Sequence, residues 1–190
     1  QYYELIARQF TTTELTPDEI HNIGLSEVTR IKNEMFKIMD QVQWNGSFDE
    51  FLDFLRTDSQ FYFETGEELF TEYLATSKRI DPLLVKLFKD LPSMPYGLKP
   101  IPMESAPDTT TAYYQRPAAD GSRAGYYYVN LYMPEVRPIY EIEALSLHEA
   151  MPGHHLQIAY TMELDLPNFR KYGGYTCLLY TSDAADDIGR

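Results

Sequence analysis

Up to Leu91 the apolar positions of the chain recur at helical intervals. Thr16-Pro17-Asp18-Glu19 marks a helix start: Thr16 caps, Pro17 suits the first helical position, and Glu19 closes a capping box. Ile20, Ile23, Ile31, Met35, Ile38 and Val42 follow at three- and four-residue steps, with other steps between them. They form an apolar stripe on one long helix that Asn45-Gly46 ends. Ser47 and Glu50 make a second capping box ahead of Phe48, Phe51, Leu52 and Leu55. Thr65 and Glu68 make a third, ahead of Leu69, Phe70, Tyr73 and Leu74. Asp81-Pro82 opens a short fourth helix through Leu87 and Phe88. The aromatic and Met positions of these helices read as core.

The pattern changes at Leu91. Pro92, Pro95, Pro100, Pro102 and Pro107 forbid a regular helix. Two runs rich in Thr, Tyr and Val follow, Thr109–Gln115 and Gly125–Tyr132, and read as strands. Asp120-Gly121 supplies a turn between them, which predicts an antiparallel hairpin closed by Pro134 and Pro138. A last helix is expected from about Ile139 towards Tyr160. The fold class is therefore mainly α with a small antiparallel β-hairpin or sheet (α+β).

Composition narrows the function classes. The 190 residues carry a net charge of −13, with 29 acidic against 16 basic side chains. A nucleic-acid groove needs the opposite footprint, so no nucleic-acid partner is expected. No apolar run is long enough to span a membrane. The only cysteine is Cys177, so residues 1–176 hold no disulfide, thiolate nucleophile or cysteine metal ligand.

Three of the four histidines fall within Leu147-His148-Glu149-Ala150-Met151-Pro152-Gly153-His154-His155-Leu156-Gln157. In the zinc-peptidase pattern H-E-x-x-H, two His at i and i+4 share a helix face, and the Glu beside the first is the general base. Here the i+4 position is Pro152. In a regular helix His155 would return to the face of His148, but about 10.5 Å further along the axis. His154 would be nearer along the axis but on the wrong face. Two imidazoles on one zinc need nitrogens within roughly 4 Å, so the intervening residues must loop out. Pro152 cannot donate to the His148 carbonyl, and Gly153 permits a sharp bulge. Such a break costs on the order of 3 kcal/mol or more, and local violations of this kind concentrate at functional sites. The alternative is that Pro152-Gly153 merely ends one helix and the histidines cap the next. His21, on the first long helix, is assigned no role.

The run His-Glu-Ala-Met-Pro-Gly-His-His-Leu-Gln resembles the signature of a bacterial family known by a domain-of-unknown-function label, DUF885. Softer resemblances are Thr11–Ile20, Tyr126–Tyr132 and Leu166–Arg170. The family is grouped with zincin-like metallopeptidases of the gluzincin type. The resemblance implies a mainly helical fold with a small sheet beside the site helix and one Zn2+ ion. It implies His148 as first metal ligand and Glu149 as the catalytic base. His154 is preferred as second ligand, because in related gluzincins a Gly directly precedes it; His155 is the alternate. The third ligand would be a Glu on a later helix, shortly after a stretch like Tyr172-Gly173-Gly174-Tyr175-Thr176. Glu163 and Asp165 read as surface charges. Zincins also hold an extended peptide against an edge strand. Gly125–Tyr132 is the candidate strand, with Asn130 reaching the substrate backbone and Tyr127 or Tyr132 donating to an oxyanion.

The ends carry further expectations. Gln1 opens within a helical stretch with no signal segment, so an upstream part is expected. Cys177–Arg190 resembles a translated transposase sequencing adapter and is read as a non-native tail. Residues 1–176 then form a fragment of one zincin-like catalytic domain without its third ligand, expected to bind zinc weakly and to catalyse poorly. The leading reading is a truncated zinc-dependent hydrolase, which the resemblance implies is a peptidase acting on a peptide or small amide. Hydrolysis of another amide or ester, or a non-catalytic helical module with a structural histidine cluster, are the alternatives.

Overall fold

The computed structural model describes residues Tyr2–Tyr172. The proposed adapter-like tail, 177–190, lies outside them. Contacts divide the chain into two compact units, Gln1–Thr57 and Asp58–Arg190.

The first unit is helical. It holds α1 (Tyr2–Thr11), α2 (Pro17–Gln41) and α3 (Phe48–Thr57). Both directions of the expected capping box at the start of α2 are made: Glu19 N–H donates to Thr16 Oγ1, and Thr16 N–H to Glu19 Oε2. A cap of this kind contributes about 1 kcal/mol. The helix ends at Gln41, a little before Asn45-Gly46. Its apolar stripe is real but largely exposed: Ile23, Ile31, Met35, Ile38 and Val42 all stay open, and Met39 is its one buried residue. Periodicity reports which face is apolar, not whether a partner covers it. At its end the Phe36 ring meets Phe48, and Trp44 packs on Phe51 and Phe54 of α3.

The second unit carries the sheet and the histidines. Its α4 (Gly66–Ile80) starts at the capping box of Thr65 and Glu68. The segment opened by Asp81-Pro82 is a 3-10 helix through Lys86 rather than an α-helix. Three strands follow: β1 (Tyr96–Pro100), β2 (Ala112–Gln115) and β3 (Gly125–Val129). The Asp120-Gly121 turn forms as expected: Gly121 takes φ +74°, and Asp120 Oδ1 accepts from the Ser122 N–H and hydroxyl.

The expected antiparallel hairpin is only two-thirds of the sheet. β2 and β3 pair antiparallel, but β1 adds parallel to the other side of β3, so the order is β1-β3-β2 and the sheet is mixed. The proline run hides β1. Pro100 ends an edge strand, where a missing donor is tolerated, and the Ile101 N–H resumes the ladder on the Val129 carbonyl. As a result β3 is the central strand, with both edges paired. The sequence reading of Gly125–Tyr132 as a free edge for a substrate peptide is therefore corrected; the edges are β1 and β2.

Along β3, Gly125, Tyr127 and Val129 point inward and alternate with half-buried Tyr126 and Tyr128. The inward face packs with Leu69 and Tyr73 of α4 and with Ile142 and Leu145 of α5 (Ile142–Glu149). A fully buried side chain of this size stabilises by roughly 1.5–3 kcal/mol. A smaller cluster of Ile80, Leu84 and Met151 packs with Tyr96 and with Leu156 of α6 (His154–Glu163). The single helix expected from about Ile139 to Tyr160 is thus two helices, and the histidines lie on either side of the break. A short α7 (Asn168–Tyr172) completes the described residues. No helix among them is long and apolar enough to cross a membrane.

Candidate metal centre

The break is built by its own sequence. The Ala150 N–H still bonds to the Ser146 carbonyl, closing α5. The next N–H groups skip ahead: His155 donates to Ala150, five residues back, and Gln157 to Gly153 begins α6. Residue 152 has no N–H to offer, and Met151–Pro152 is cis. Residue 153 must be glycine, because a Cβ there would collide with the His148 carbonyl and, close behind it, the Leu147 carbonyl. The break leaves the start of α6 beside the end of α5, tied by the His155 N–H on the Ala150 carbonyl.

The result is a compact donor set. The rings of His148 and His154 meet edge to face, with centroids 4.7 Å apart. Glu149 Oε2 lies 4.0 Å from His154 Nε2. One ligand atom from each of His148, Glu149 and His154 can be chosen so that all three lie within 4.8 Å of one another; this is the one such group of three among the described residues. Donors around a tetrahedral zinc lie roughly 3.4 Å apart at Zn–N of about 2.1 Å, so small side-chain rotations close the set. Two imidazoles and a carboxylate suit zinc chemically. His148 and His154 are half-buried, and Glu149 is only 3% exposed.

His155 goes elsewhere. It is 1% exposed, and both ring nitrogens are engaged: Nδ1 lies 2.7 Å from Tyr114 Oη, and Nε2 lies 2.9 Å from the Met94 carbonyl. A carbonyl only accepts, so Nε2 carries the proton and Nδ1 accepts from Tyr114. Burial lowers the His155 pKa and raises that of Tyr114, which keeps the imidazole neutral and the phenol protonated. His155 is thereby removed as the alternate ligand. Neighbours at a helix start point about 100° apart, so only one of His154 and His155 can face the cluster.

Burial corrects two of the three substrate-binding expectations, those on Asn130 and Tyr127. Asn130 is fully buried; its Nδ2 donates to the Ala106, Thr109 and Thr110 carbonyls, and its Oδ1 accepts from the Tyr132 N–H. It fastens the loop before β2 and has no reach to a substrate. Tyr127 is also fully buried, on the core face against Tyr73. Tyr132 is half-buried and tied by its backbone to Asn130 and Arg137, and the donor set forms without it. Glu163 is exposed, as read, but it is more than a solvated charge. Its Oε1 accepts from the Ser93 N–H and hydroxyl and from the Met94 N–H. The Ser93 hydroxyl in particular holds its carboxyl below the usual range.

Tyr114, Met94 and Glu163 therefore form an outer layer that sequence reasoning misses. Nothing local marks Tyr114 among 16 tyrosines. Only the strand register, which sets it opposite Tyr127 on the inward face, shows where it points.

Comparison with known proteins agrees with this architecture. The profile of the family described as "Bacterial protein of unknown function (DUF885)" matches residues 1–181, and the chain belongs to that family. A solved structure titled "The crystal structure of the putative lipoprotein from Colwellia psychrerythraea" is similar over the whole chain, at 30% identity and a TM-score of 0.84. The chain spans 36% of that protein's length. No curated protein matches.

Proposed function

We propose that this chain carries the metal centre of a zinc-dependent hydrolase of zincin-like type, acting on peptides or small amides. The observation that supports this most is the convergence of His148 and His154 across a helix break, with the Glu149 carboxylate beside them. His148 and His154 would hold the ion. When bound, zinc supplies Lewis acidity, polarising an amide carbonyl and acidifying water. Glu149 takes the proton from the attacking water and delivers it to the departing amine as the C–N bond breaks. Its burial keeps bulk water from competing for that proton. An extended substrate would lie against β2, the edge strand whose Tyr114 ring faces His154 at 6.5 Å.

The test is made on a polypeptide carrying this sequence together with the later-helix Glu that the signature calls for. Hydrolysis of short peptides and simple amides should fall to the uncatalysed level after chelation and return with stoichiometric zinc. Turnover that survives complete metal removal would contradict the proposal.

A further inference from the structure

α6 begins without a side-chain cap: Gly153 occupies the N-cap position and offers none. The rotation of its first turn decides where the His154 ring points, so something else must set that rotation. His155 is the only buried residue of this first turn, and its ring is held at both ends. On one side Tyr114, from β2, reaches Nδ1. On the other, the Met94 carbonyl accepts from Nε2, and the Met94 loop is itself pinned by Glu163 from the last turn of α6. Tyr96 of β1 lies against the same ring at 5.0 Å. Even the sheet makes room: at Gly125 of β3 a Cβ would collide with the Tyr114 hydroxyl and press on His155 Nδ1.

We propose that Tyr114 is a positioning residue for the metal centre, acting through His155 to fix the angle at which α6 presents His154. The hydroxyl is the part that acts. The ring packs near both histidines, at 6.5 and 5.7 Å, and a phenylalanine would keep that packing. Without the hydroxyl, His155 loses the partner that ties it to the sheet. The first turn of α6 is then held only by the Met94 bond, the Tyr96 contact and the His155 N–H on the Ala150 carbonyl, and His154 shifts relative to His148. Groups that hydrogen-bond directly to a metal ligand typically account for about 10–100-fold in metal affinity, and that range bounds the effect of Tyr114, which acts one residue away. The affinity consequence rests on the zinc reading above; the positioning itself does not.

The test uses the chain as it stands, with Tyr114→Phe, Ser93→Ala on the opposite side of the clamp, and Thr65→Ala as a control that weakens a helix cap away from the site. Crystal structures of the metal-free proteins should show the His148–His154 separation, 4.7 Å between centroids, widened in Tyr114→Phe and unchanged in Thr65→Ala. Cobalt(II) titration should give a Kd weaker by up to about 100-fold for Tyr114→Phe, a smaller loss for Ser93→Ala, and none for Thr65→Ala even where its melting temperature falls. An unchanged ring separation in Tyr114→Phe overturns the proposal, as does equal cobalt affinity in Tyr114→Phe, Ser93→Ala and wild type. If wild type itself takes up no cobalt, the ring separation alone decides the role of Tyr114, and the zinc reading is decided separately on the polypeptide that carries the later-helix Glu.

Discussion

In the polypeptide that also carries the later-helix Glu, replacing Glu149 by Gln is expected to lower amide hydrolysis by about 10²–10⁴-fold, the usual contribution of a positioned proton-transfer group. Zinc content should stay near one ion per chain. The two parts of this expectation separate two roles for the same side chain. A Glu149 carboxylate oxygen lies within 4.8 Å of a ligand atom of each histidine, close enough to serve either a bound water or the ion itself. If it serves as a base, the amide keeps the shape and loses only the proton acceptor. If it is instead a metal ligand, the substitution weakens zinc as well as rate. The fold should tolerate the change, since Gln has nearly the same shape as Glu at a position that is 3% exposed. Rate and zinc stoichiometry measured on the same preparation decide the matter; intact hydrolysis with zinc bound would remove Glu149 from the mechanism.

His148→Ala and His154→Ala should each weaken zinc binding by at least about 100-fold, more than the loss expected from an outer-layer group. Both residues keep some solvent exposure, the His154 side chain at 15%, so neither substitution opens a fully enclosed cavity. Far-ultraviolet circular dichroism should stay that of the parent. His155→Ala should behave differently. It removes a ring that is 1% exposed and strands the Tyr114 hydroxyl, so its first effect is a lowered melting temperature. Competition with a chromophoric chelator, alongside thermal melts, checks all three. A His154→Ala protein that binds zinc like its parent would show that the assignment of ligands across the break is wrong.

The parts of this structure legible in the sequence are those whose causes are local. The capping boxes at Thr16 and Thr65 form as written, because a cap involves only four consecutive residues. The Asp120-Gly121 turn forms for the same reason. Helical arithmetic requires that residues between His148 and the second histidine loop out if the two share an ion, and the structure has a helix break at residues 150–153. Sequence and structure part where the cause is distant along the chain. β1 is a strand because β3 lies beside it, and its own prolines argue otherwise. Asn130 reads as a polar group ready for substrate, but the three carbonyls that occupy it come from 20 to 24 residues earlier. The stripe on α2 is periodic, and periodicity carries no information about what covers it. At the site, the sequence names both His154 and His155. Choosing between them needs the Met94 carbonyl and the Tyr114 hydroxyl, 61 and 41 residues away.

The most direct measurement is to locate the ion itself, by anomalous diffraction at the zinc edge from crystals of this chain grown with zinc. The account predicts one ion bonded to a nitrogen of His148 and a nitrogen of His154, each at about 2.0–2.1 Å, with His155 still on Tyr114 and Met94. Crystals saturated with zinc that show the two rings turned apart, or the metal held by His155 or by neither histidine of the pair, would contradict it.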